Sequence, residues 1–83
     1  MKVEKMPRET RKEYRMRLVL WIVQTHPGWN YEQIVSEHNK LEGTITAKES
    51  IVRDIKTLEL REMVYSETPN ADGRMRLWYG YDK

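Results

Sequence analysis

Apolar positions along the chain fall into three blocks of helical period, followed by one block of period two. The first block predicts a helix from about Pro7 to His26. Tyr14, Leu18, Trp21 and Thr25 share one stripe, with Ile22 beside it. Met16, Val19, Leu20 and Val23 lie on a different side. The second half of this helix is therefore apolar nearly all round, a pattern that demands burial on more than one face. Pro7 suits a first turn, where its missing N–H costs nothing. His26-Pro27-Gly28 stops the helix.

The second block is NYEQIVSEHNKLEG. Asn30 is a good N-cap, and Gln33 three residues on completes a capping box. Tyr31, Ile34, Val35, His38 and Leu41 form a stripe of i, i+3, i+4, i+7 type. Gly43 ends the helix. Thr44-Ile45-Thr46 reads as a short extended link with Ile45 pointing inward. The third block, TAKESIVRDIKTLELREMV, opens with Thr46 and Glu49 at capping-box spacing. Ala47, Ile51, Ile55 and Leu58 fall within one arc that faces a core. Glu49, Ser50, Arg53, Lys56, Thr57 and Leu60 point away, and the helix ends near Arg61.

The closing block changes period. Val64 to Glu67 reads as a strand. The stretch TPNADG is dense in turn residues, and Asp72-Gly73 suits a position of positive φ. From Arg74 to Tyr81 the chain alternates, with Met75, Leu77, Tyr79 and Tyr81 on one face and Arg74, Arg76 and Trp78 on the other. Such alternation is that of a strand, so the pair predicts a β-hairpin. Trp78 either lies under the first helix or sits in an interface. The fold class is mainly α with a C-terminal β-hairpin. Two capped helices joined by a short link make a helix-turn-helix candidate. Residues 1–6 form a flexible basic N-terminus, and residues 7–83 form a single domain.

The stretch ESIVRDIKTLELREMVYSE resembles the recognition helix of the winged helix-turn-helix regulators, of the form Ser-x-Val-x-Arg-x-Ile-x-x-Leu-Glu, leading through a short turn into a strand. Ser50, Arg53, Asp54, Ile55, Leu58, Glu59 and Val64 carry the resemblance, and NADGR stands at the distance of a wing tip. With the two upstream helices it covers roughly residues 10–81. It implies three helices plus a wing, and a DNA-binding role of the small stand-alone transcription-regulator type. Glu62 stands where many relatives have glycine. It must adopt a left-handed conformation at a cost of ~1 kcal/mol or end the helix differently.

The outer face of the third helix has a chemistry that agrees. A major groove admits one α-helix, which needs short polar residues for close approach and long donors for base edges. Thr46, Lys48, Ser50, Arg53, Lys56 and Thr57 supply both, and Arg53 suits a bidentate contact to guanine O6 and N7. Arg74 and Arg76 on the wing suit the backbone or the minor groove. The plain alternatives are a solvated helix face and charges that protect an edge strand from pairing.

Charge sharpens the picture only a little. There are 15 basic and 13 acidic residues, a net charge of +2, concentrated as basic residues in the first 20 positions. Arg11, Lys12 and Arg15 read as a solvated helix face or as phosphate contacts. The absence of cysteine excludes disulfides and cysteine-based zinc sites and fits a reducing, cytoplasmic setting. Leu18 to Val23 is the longest apolar run, too short to cross a bilayer, and no signal-peptide pattern is present. His26 and His38 have no third ligand at metal spacing. No nucleophile–base set, phosphate loop or paired carboxylates stand out, so no enzyme, metal, cofactor or small-molecule ligand is expected.

The expected partners are double-stranded DNA and a second copy of the chain. Met16, Val19, Leu20 and Val23 are left over once Leu18, Trp21 and Ile22 anchor the first helix, and four such residues together invite a dimer interface. Two rival functions remain open. One is a protein-interaction winged helix, a complex subunit or small inhibitor that does not bind DNA. The other is a replication or partition initiator with the same DNA contacts, and a viral or plasmid source fits small proteins of this type.

Overall fold

A computed structural model describes residues 8–43, 45–68 and 76–81. The elements follow in the order α1 (Arg11–Thr25), α2 (Tyr31–Glu42), α3 (Lys48–Leu60), β1 (Val64–Glu67) and β2 (Leu77–Gly80). The expected flexible segment 1–6, the start at Pro7, the Asp72-Gly73 turn, Met75 and Arg74 lie outside the described residues.

Helix α1 begins at Arg11 rather than near Pro7, because Thr10 closes a capping box that the sequence reading passed over. The Glu13 N–H donates to Thr10 Oγ1 at 3.1 Å, and the Thr10 N–H donates to Glu13 Oε1 at 3.0 Å. The second box is present as expected, with Asn30 and Gln33 bonded reciprocally at 3.0 Å. Gly43 ends α2 at φ 74°, a left-handed conformation that costs glycine little.

The third box is absent. Ala47, not Thr46, is the N-cap of α3, and it is exposed rather than in the core. The Thr46 backbone is held by Asn39 of α2 instead. Asn39 Oδ1 accepts from the Thr46 N–H at 2.9 Å, and Asn39 Nδ2 reaches the Thr46 carbonyl at 3.5 Å. With Thr46 fixed in an extended link, the helix starts one residue later. Ile45, expected inside, is 96% exposed. The clamp through Asn39 secures the link without any side chain of the link being buried.

The core joins Leu18, Val19, Ile22 and Val23 of α1 to Ile34 of α2, Ile51, Ile55 and Leu58 of α3, Val64 of β1 and Trp78 of β2. Helix α1 packs against α2, α3 and β2 at once, which accounts for its apolar circumference. This corrects the dimer-interface expectation for Val19 and Val23. Val19 and Val23 are 0% exposed within the single chain, Met16 is buried and Leu20 half-buried. Val19 and Val23 are consumed by intramolecular packing and offer no surface for a second copy, while Leu20 keeps part of its surface and lines, with Met16, an open concavity beside Leu58 and Met63.

Strands β1 and β2 are antiparallel, with Tyr65 opposite Tyr79 and Ser66 opposite Trp78. A third, one-residue strand joins them. The Gly28 N–H donates to the Trp78 carbonyl and the Trp78 N–H to the Trp29 carbonyl, both at 2.9 Å. The turn after α1 is thereby stitched to the hairpin. Of the two places open to Trp78, the structure selects the core, where it is fully buried. Tyr65 stacks on Tyr79 with ring centroids 5.3 Å apart, and Tyr81 tilts against Tyr65 at 4.9 Å. Gly80 lets α1 approach this sheet, since a Cβ there would lie 2.7 Å from Gln24 Cγ and 3.3 Å from Gln24 Cα.

Candidate nucleic-acid interface

Helix α3 is held on its inner face by three apolar residues and one ion pair. Asp54 sits in the apolar series Ile51, Ile55, Leu58 and is 1% exposed. Arg15 of α1 answers it with a two-pronged contact, Nε to Oδ2 at 2.5 Å and Nη2 to Oδ1 at 3.1 Å. Each carboxylate oxygen thus accepts one guanidinium N–H, a planar match that fixes α3 in rotation as well as position. Asp54 raises the Arg15 pKa through that bond. Arg15 is therefore a structural partner of α3, not an arm for phosphates.

The outer face follows from the inner one. With Ile51, Asp54 and Ile55 turned inward, Lys48, Glu49, Val52, Arg53, Lys56, Thr57 and Leu60 line an open concavity of about 650 Å³. Arg53 and Lys56 are exposed, and neither has an ion-pair partner among the described residues. The Thr57 hydroxyl donates to the Arg53 carbonyl at 3.0 Å, so toward a ligand it offers its acceptor side. Lys48 pairs with Glu32 at the start of α2, a bond that raises the lysine pKa. Both partners stay largely in water, where such pairs contribute little. Glu32 can therefore be exchanged for another anion at small cost.

Four residues expected at a nucleic-acid face, Lys48, Arg53, Lys56 and Thr57, come together here. Ser50 stands one turn before the inward-facing Asp54 and is half-buried. Thr46 is half-buried in the clamped link. Neither is among the residues lining the concavity. Arg76 is exposed immediately before β2, and Arg74 lies outside the described residues. Burial raises the pKa of Tyr31 at the start of α2, while the charges of Arg76 and Lys48 lower it. The Lys48–Glu32 pair and the Tyr31 and Trp78 rings, 5.5 Å apart, bring the start of α3 and the hairpin together at the start of α2.

Val52 is a lining residue that sequence reasoning did not name, and Leu60 was placed on the outer face without a role. No periodic signal singles them out, because an apolar side chain on an outer face looks like ordinary surface. Asp54 did carry a signal, a carboxylate in a core series, but its partner lies 39 residues away. Glu62 takes the left-handed conformation at φ 59°, one of the two alternatives open to it. Among the described residues no helix is long and apolar enough to cross a membrane, and no group of three or more His, Cys, Asp or Glu could hold a metal ion.

No family model and no curated protein matches the chain. Among solved structures it is similar to the crystal structure of the transcriptional regulator SlyA, with 19% identity and a TM-score of 0.60. The match covers 82% of this chain but 43% of the other, so the chain spans less than half of that regulator. The likeness shows the fold, which is the winged helix-turn-helix: three helices, with α2 and α3 as the helix-turn-helix and the hairpin as the wing.

Proposed function

We propose that this chain is a sequence-specific double-stranded DNA-binding protein, a transcriptional regulator, that lays α3 in the major groove and its wing on the backbone or in the minor groove. The observation that carries the reading is the outer face of α3. Two of its three long cations, Arg53 and Lys56, are exposed and held by no carboxylate among the described residues, on a helix immobilised from behind. Arg53 can reach guanine O6 and N7 as a two-pronged donor. Lys56 and Lys48 suit phosphates, with Glu32 released from Lys48 as the phosphate arrives. Thr57, its proton already committed, accepts from an amino group such as cytosine N4 or adenine N6. Arg76 supplies the cation of the wing. The fold of a solved transcriptional regulator supports the same reading, under which the protein works in the cytoplasm beside its DNA.

Selection from random duplex DNA, repeated at two salt concentrations, tests this. An enriched motif containing guanine, with log K falling by ~0.9 per phosphate contact against log salt, is the expected result. Binding without enrichment, or no binding, refutes it. A near-palindromic motif would call for two copies related by a two-fold axis, with α3 helices ~34 Å apart. The exposure of Leu60 at 85% and Ile45 at 96% favours one rival, a winged helix that docks a protein partner. Under that rival no motif is enriched, and Leu60→Glu abolishes partner binding while leaving the fold intact.

A further inference from the structure

The concavity on α3 has an apolar wall that the charges do not explain. Val52 lines it between Lys48, Arg53 and Lys56. The buried residues of α3 are Ile51, Asp54, Ile55 and Leu58. Val52 is half-buried, yet it is not among the partly buried apolar side chains packed against the core. It therefore serves neither the core nor the helix, since a β-branched residue at a surface helical position is slightly unfavourable.

We propose that Val52 reads the C5-methyl group of a thymine within two base pairs of the guanine contacted by Arg53. The inference rests on the DNA-binding reading. In the major groove the thymine methyl is the apolar feature that base edges present, and apolar side chains contact it. Val52 and Arg53 are consecutive, so their Cα atoms stand ~3.8 Å apart, close to the ~3.4 Å spacing of bases along a strand. The short valine touches the groove wall while the long guanidinium reaches past it, which sets the two contacts on the same or neighbouring steps. Leu60, the other apolar lining residue, lies eight positions further on, ~12 Å along the axis, beyond Lys56 and Thr57.

The experiment is a pair of selections with the wild-type protein, from a random duplex library made with thymine and from the same library made with uracil, which lacks only the methyl. A third selection uses Val52→Ala on the thymine library, with circular dichroism to confirm the fold. The expected result is a thymine beside the guanine in the first selection and no preference at that position in the other two, with guanine retained throughout. Singly tested sites should lose about threefold to fourfold in affinity on thymine-to-uracil exchange, the worth of one buried methyl. Uracil enriched as strongly as thymine overturns the inference and leaves the DNA reading standing. Thymine still enriched by Val52→Ala does the same. Absence of any guanine-containing motif overturns both. The uracil library needs no variant, so misfolding of Val52→Ala cannot mask the outcome.

Discussion

Replacing Arg15 by methionine removes the cation from the α1–α3 ion pair while keeping most of the side-chain stem. Asp54 would be left at 1% exposure with both oxygens stripped of the donors now at 2.5 and 3.1 Å. Removing one partner of a buried pair costs about 3–5 kcal/mol. The Arg15 side chain is 26% exposed, so water can reach the vacated side of the carboxylate. The lower end, about 3 kcal/mol, is therefore expected. That is a large share of the ~5–15 kcal/mol that holds a typical domain together. Urea titration followed by circular dichroism measures it. With a slope near ~1 kcal/mol per molar for a domain this small, the midpoint should fall by ~3 M. Arg15→Met combined with Asp54→Leu should recover to within ~1 kcal/mol of wild type, because no charge is then left buried. A single variant that loses under ~0.5 kcal/mol, or a double variant as unstable as the sum of the singles, would refute the reasoning.

Four further outcomes are expected. Arg53→Ala should cost ~1–3 kcal/mol on an enriched site and relax preference at the contacted base, with the fold unchanged; equal loss on random DNA would make Arg53 a phosphate contact. Arg76→Ala should weaken specific and random DNA alike and flatten the log K against log salt slope by ~0.9, and an unchanged slope would place the wing off the backbone. Burial pushes the His38 pKa below its ordinary 6.5, with Arg15 acting the same way and Asn39 and Glu42 opposing. The unfolded chain therefore takes up the proton first, so stability is full above pH 6.5 and declines as pH falls, by at most ~1.4 kcal/mol per unit, until the folded pKa is passed; His38→Gln should flatten denaturation midpoints measured between pH 6.5 and 5.5. Glu62→Gly should raise the urea midpoint by the equivalent of ~0.5–1 kcal/mol, because φ 59° strains a residue with a Cβ, and a lower midpoint would show that the strain is compensated elsewhere.

Element type and order were legible in the chain because their signals are local. Asn30 and Gln33 lie three residues apart, Gly43 ends its helix by its own backbone freedom, and the alternation from Leu77 to Gly80 spans one strand. The winged helix-turn-helix follows from that order, and so does the outer position of Arg53 and Lys56, which needs only the arc of Ile51, Ile55 and Leu58. Which side of each element meets what is a different kind of fact. Val19 and Val23 looked surplus because one helix face usually has one neighbour, whereas α1 has three. Ile45 points to water because Asn39 already holds the link through its backbone. The Arg15–Asp54 pair and the Trp29–Trp78 bridge each join residues far apart in sequence. Local propensity acts over a few residues and leaves its mark there, while contacts between elements depend on how all three helices and the sheet share one small core.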